Sequence, residues 1–198
     1  MRKIRGFRLS LHPKDLRRRL RRFVNLQACG VEDDASFERH ISSIAERIQP
    51  AVVFDSLGPE SKETSKISPI PGLAHTIGFA TLGPGADELL ASEQAAGEQR
   101  GKLAERVLGL AIEESVRFVI GLIADEVESE RCDLSPIHYV SDEGQLALLA
   151  EKLKAAKIGL ALGQGGLKPR SSAAFCLNWI ARPRGKRSSK LEAGKAKK

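Results

Sequence analysis

The sequence predicts an α+β fold, one domain built on an antiparallel or mixed sheet with a long buried helix. Three observations carry this. Short apolar or alternating stretches at 4–11, 51–57, 73–82 and 158–181 read as strands. Helical periods fall between them in blocks, without the strict strand–helix–strand alternation of a parallel sheet. Residues 102–128 are apolar round most of a helical circumference, which places that helix inside its domain.

Taken in order, Phe7, Leu9 and Leu11 alternate with Arg8 and Ser10, so 4–11 is the first strand. Pro13 opens a helix whose apolar face is Leu16, Leu20 and Phe23. Five arginines (Arg17, Arg18, Arg19, Arg21, Arg22) fill the rest, either as a solvated face or as a docking surface for an acidic partner. Asp33 and Asp34 precede Phe37, Ile41, Ile44, Ala45 and Ile48, an amphipathic helix with acid at its start and Pro50 beyond its end. A strand follows at 51–57. The stretch from Gly58 to Gly72 is polar, carries Pro59, Pro69 and Pro71, and reads as a long loop.

The strand at 73–82 runs into Gly83-Pro84-Gly85 and a helix from about Ala86. The third glycine of a dinucleotide fingerprint and the Gly-Lys-Ser/Thr of a phosphate loop are both missing, so a tight strand-to-helix turn explains these glycines. In the long helix, Glu113 and Arg117 are four apart on the exposed strip and pair there. Glu114 falls inside an apolar stripe, where a carboxylate needs a partner or a ligand. Residues 129–140 have no period and read as an extended loop. Ser141 caps a short helix with Leu146, Leu149 and Leu153 on its buried face.

Residues 158–181 read as a β-hairpin: an apolar run at 158–162, a turn at Gly163-Gln164-Gly165-Gly166, and a return strand. Ala173, Phe175, Leu177 and Trp179 line one face of that strand; Ser172, Ala174, Cys176 and Asn178 line the other. The small, hydroxyl-bearing face beside Pro169-Arg170-Ser171 either leaves room for a ligand or is covered by a helix.

The 198 residues suffice for one domain with tails. The formal charge of +7 is uneven: 1–22 carry +9, 182–198 carry +7, and the body between them carries −9. The basic character therefore belongs to the two ends. Seven Phe, one Trp and one Tyr are too few for a broad nucleic-acid stacking platform. Cys29, Cys132 and Cys176 are widely spaced, with no Cys-x-x-Cys, so neither a disulfide framework nor a zinc site is expected. A reduced, cytoplasmic setting and no membrane span are expected. After Pro183 the composition is Gly, Ser, Ala and basic residues, so a domain at 1–183 with a disordered basic tail at 184–198 is expected. No His-Glu-x-x-His or Gly-x-Ser-x-Gly is present, and His12, His40, His75 and His138 have no acid at ligand spacing. No catalytic residue and no metal ligand is predicted.

Several stretches together carry a resemblance: AERIQPAVVFDSL, IGFATLGPGADELL, GLAIEESV, SPIHYVSDEGQLALL and IGLALGQGGLKPRSSAAFCLNWIARP. Their order over about 4–183 resembles the activation domain of cobalamin-dependent methionine synthase, including its small stand-alone relatives. The resemblance implies a C-shaped domain with a twisted antiparallel sheet. It implies binding of S-adenosylmethionine in a shallow groove, whose methyl group is offered to cobalamin held by a partner. One electron and that methyl then restore methylcobalamin. By this resemblance the ligand-binding candidates are Glu114, Ser135, Pro136, His138, Tyr139, Arg170 and Ser171, and the partner is a corrinoid protein or methyltransferase. In the register set by Ser135-Pro136, the family's Arg-x-x-x-Gly-Tyr falls on Asp133, Ile137 and His138; a shift of one places Tyr139 on the tyrosine. Two further readings stand beside this one. The same fold could serve without ligand as a docking or accessory module for a corrinoid protein, or the basic ends could bind nucleic acid.

Overall fold

The structure, a computed structural model, describes residues 1–59, 67, 68 and 70–183. The expected tail at 184–198 lies outside the described residues, as do 60–66 and 69 of the loop expected between Gly58 and Gly72.

One antiparallel sheet holds the molecule together. It contains β1 (Arg2–Arg5), β2 (Ala51–Leu57), β3 (Ala74–Thr81), β8 (Ser172–Ala181) and β4 (Cys132–Leu134) in that spatial order, and β5 (His138–Val140) pairs β8 as well. Helices α1 (Pro13–Leu20), α2 (Asp34–Arg47), α3 (Pro84–Ala95) and α4 (Glu98–Ser129) cover one face; α5 (Glu143–Leu153) and a 3-10 turn at Ala155–Ile158 cover the other. A two-stranded ribbon, β6 (Ala161–Gly163) with β7 (Gly166–Lys168), stands apart. The α+β class and antiparallel pairing agree with the sequence reading.

Strand alternation explains the layers. Val52, Phe54, Ala80, Phe175, Leu177 and Trp179 face the first group of helices; Val53, Ile77, Phe79, Ala174 and Cys176 face α5. Gly78 lies between Phe54 and Phe175 in register, and a Cβ there would come 2.4 Å from Phe175 Cζ. On α2, Asp33 Oδ1 accepts from Ser36 N at 2.7 Å while Ser36 Oγ accepts from Asp33 N at 3.1 Å, a reciprocal cap.

Six expectations change. The first strand is Arg2–Arg5 rather than 4–11, because Gly6 turns at φ 65° and donates to Pro50 O. The following segment leaves the sheet, and Phe7 stacks on Phe118 at 4.1 Å. Phe23 is 64% exposed, since α1 ends at Leu20 and the chain turns there. Residues 129–140 are not free loop; β4 and β5 bracket Ser135 and both pair β8. Asp142, not Ser141, caps α5, accepting from Gln145 N at 2.9 Å.

Glu113 pairs with Arg19 at 2.9 Å and Glu114 with Arg117 at 3.2 Å, which replaces the expected Glu113–Arg117 pair. Finally, the hairpin is only β6–β7. The strand at 172–181 pairs β3, β4 and β5 instead, and its small-residue face lies under α5 with no room beside Ala174 and Cys176. No helix among the described residues is long and apolar enough to cross a membrane.

Candidate functional site

The groove that gathers most of the predicted residues runs along α4. Glu105, Gly109 and Glu113 are four apart and share one exposed stripe, which forms its floor. Leu90 and Gln94 of α3 form one wall. Tyr139 of β5 and the turn Arg170-Ser171 before β8 form the other, enclosing about 520 Å³. The turn is held from below. Asp87, in the first turn of α3, accepts from Arg170 N at 2.7 Å and Ser171 N at 3.0 Å. Ser171 O accepts from Leu82 N at 3.0 Å, and Ser172 Oγ meets Thr81 Oγ1 at 2.8 Å.

The groove is apolar over most of its surface and carries a mixed set of charged and polar groups: two carboxylates, one guanidinium, hydroxyls and one aromatic ring. Burial pushes the Tyr139 phenol above its ordinary value; the Glu113 charge adds to this and Arg117 opposes it. The phenol therefore stays protonated at neutral pH and can donate a hydrogen bond.

The other predicted residues lie elsewhere. Glu114 is a neighbouring recess's residue, opposite His12, Asp15 and Arg19 of the α1 region, and its side chain is 25% exposed. Ser135 is buried and structural. Its Oγ accepts from Asn178 N at 3.0 Å and donates to Pro136 O at 2.9 Å, while its N–H donates to Asn178 O at 2.9 Å. Pro136 is exposed. His138 pairs Cys176 in register and so occupies the α5 side of the sheet, the face opposite Tyr139. Thus Tyr139, Arg170 and Ser171 come together, and Glu114, Ser135, Pro136 and His138 do not join them. Asp133, which the resemblance sets against an arginine of the activation domain, accepts from Arg182 Nε at 2.9 Å.

Sequence reasoning missed Glu105, Glu113 and Asp87. The spacing 105–109–113, with a bare glycine between two acids, was the available signal for the first two. Asp87 offered none beyond its place after a Gly-Pro-Gly turn.

Across Gly109 the same floor continues into a second recess of about 540 Å³, walled by Arg19, Leu20, Phe23 and Arg106. A larger groove, about 1000 Å³, lies between segment 5–11 and the end of α2. Its charged groups are Arg5, Arg8 and Glu46, and Arg5 is turned onto Lys157 O. None of the predicted residues lines it.

Among the described residues no three side chains are grouped to hold a metal. The cysteines are buried and unbridged; burial pushes Cys29 and Cys132 up and Cys176 up to about 11, so none is a ready thiolate. Compared with known proteins, the chain matches no family model and no curated protein.

Proposed function

We propose that this protein binds S-adenosylmethionine in the Tyr139–Arg170 groove and supports reductive remethylation of a corrinoid protein or methyltransferase partner, in the manner of the activation domain that its sequence resembles. The observation that carries the reading is the meeting of Tyr139, Arg170 and Ser171 with Glu105 and Glu113 in one groove of small-molecule size. The donor set fits the ligand's charges. Arg170 offers a fork for an amino-acid carboxylate. Glu105 supplies a negative charge that a sulfonium cation favours, beside Glu113, whose charge is compensated by Arg19, and the Tyr139 ring offers a face for an adenine or for the cation itself.

Arg170 takes the place of the family's loop arginine, whose position holds an aspartate engaged by Arg182. Glu105 takes the place first given to Glu114. S-adenosylmethionine supplies an electrophilic methyl group; the chain supplies orientation and a fixed field rather than a proton acceptor. The cobalamin would be carried by the partner.

Calorimetry on the full chain tests this. Binding is expected at millimolar affinity or tighter. Glu105→Gln and Arg170→Ala should each weaken it at least tenfold, with Glu114→Gln unchanged. Silence at saturating ligand would overturn it and leave the ligand-free docking module. The nucleic-acid reading is the weaker alternative, because Arg17, Arg18 and Arg19 are each neutralised, by Asp34, Asp15 and Glu113 respectively.

A further inference from the structure

We propose that Gly109 is a specificity-determining residue of the Tyr139–Arg170 groove: its missing side chain keeps open the space that the methyl-bearing sulfonium of S-adenosylmethionine requires. The inference rests on the binding proposed for that groove and adds the residue that sets what the groove admits. Gly109 lies inside α4, a helix of 32 residues. A glycine within a helix lowers its stability relative to alanine, so its presence there needs a reason. Packing supplies one for Gly101, where a Cβ would come 2.8 Å from Gln94 Cγ of α3. Packing supplies none for Gly109. A Cβ added there would meet no atom within 4 Å, and no positive φ requires a glycine. The side chains of Glu105 and Glu113, one turn to either side, do not close over the gap.

The gap is a saddle between two hollows. Glu105, Gly109 and Glu113 belong both to the groove under Tyr139 and Arg170 and to the recess under Phe23 and Arg106, so the two join over bare α4 backbone. Gly121 isolates the effect of the groove from that of the helix. It is also an α4 glycine with open space where a Cβ would be, and it lines neither hollow. The chemistry of a sulfonium suits such a place. Its sulfur carries three carbon substituents and a positive charge, so it needs room on three sides and an anion close by. At Gly109 the floor has no side chain, both flanks are open, and Glu105 stands one turn away, while the charge of Glu113 is compensated by Arg19 at 2.9 Å. The corresponding thioether, S-adenosylhomocysteine, carries two substituents and no charge at sulfur. It needs neither the third opening nor the anion, so the bare position favours the sulfonium over the thioether.

The test is calorimetry with S-adenosylmethionine and S-adenosylhomocysteine on the full chain and on Gly109→Ala, Gly109→Leu and Gly121→Ala, with thermal unfolding of each. Both alanine variants remove a helical glycine and should raise Tm by about 1–4 °C. Gly109→Ala should raise the Kd for S-adenosylmethionine at least threefold, with a smaller change for S-adenosylhomocysteine. Gly109→Leu should raise the Kd for S-adenosylmethionine at least tenfold. Gly121→Ala should change both constants less than twofold. Absence of heat from S-adenosylmethionine on the parent chain would overturn the binding reading of the groove, and the role of Gly109 with it. Binding by the parent that neither Gly109 variant weakens, or that Gly109→Ala weakens equally for the two ligands, would overturn the role of Gly109 alone. A lowered Tm in Gly109→Ala would also overturn it, because the fold itself would then require the glycine.

Discussion

Replacing Asp87 by alanine removes the strut beneath the candidate groove. Its carboxylate accepts two backbone N–H groups, from Arg170 at 2.7 Å and Ser171 at 3.0 Å. A hydrogen bond to a charged group contributes about 1.5–3 kcal/mol in good geometry. Arg170 is exposed and Asp87 half-buried, so water replaces part of what is lost. A total near 2 kcal/mol is the working figure, with a few tenths more from the acid's place in the first turn of α3.

For a chain of this size, 1 kcal/mol moves Tm by about 2–4 °C. Asp87→Ala should therefore lower Tm by about 4–8 °C, and Asp87→Asn, which keeps one acceptor, by about half as much. Hydrogen exchange adds a local readout: the Arg170 and Ser171 amides should exchange faster in Asp87→Ala while those of β3 stay protected. A Tm within 1 °C of the parent, together with unchanged exchange at 170 and 171, would refute the reasoning that this carboxylate holds the turn.

Three further outcomes are expected. Gly78→Ala places a methyl group 2.4 Å from Phe175 Cζ and 3.0 Å from Phe54 Cβ, so it should cost about 1–3 kcal/mol by urea denaturation; a neutral result would mean the two rings can move apart. Stability should fall in two steps on acidification. Burial holds His40 below its ordinary 6.5, so the unfolded chain takes up that proton first as pH drops past 6.5. The hydrogen-bonded Arg100 holds Glu93 below its ordinary 4.5, so a second loss follows under that value, and His40→Leu should abolish only the upper step. A chain ending at Pro183 should keep its cooperative transition, because Arg182 ties the end of the described residues to Glu128 at 2.6 Å and Asp133 at 2.9 Å; loss of that transition would give the following residues a structural role.

The legible parts of the fold were those written locally. Asp33 and the 3.6-residue period fix α2, and alternating or continuous apolar runs fix β2 and β3. Pairing over long distances was not legible. The alternation at 172–181 declares a strand but not its neighbours, and the glycine turn just before it suggested a partner that the sheet overrules. β4 and β5 are three residues each, too short to show any period. In the candidate groove, Tyr139, Arg170 and Ser171 had been named by resemblance.

Glu113 was missed by one position, about 100° round the helix, because which strip of α4 stays open depends on where α1 lies. Phe23 fitted a helical spacing that the chain abandons after Leu20.

The place of β8 at the centre of the sheet has a consequence for synthesis. It follows in sequence every strand that it joins, and roughly ninety residues separate it from β3. At ordinary ribosomal rates the nascent chain holds β1, β2 and β3 for about 5–20 s with one side of β3 unpaired. An open strand edge invites other chains. Through that interval the growing polypeptide depends on chaperones or on chance isolation, and the closing strand ends the exposure.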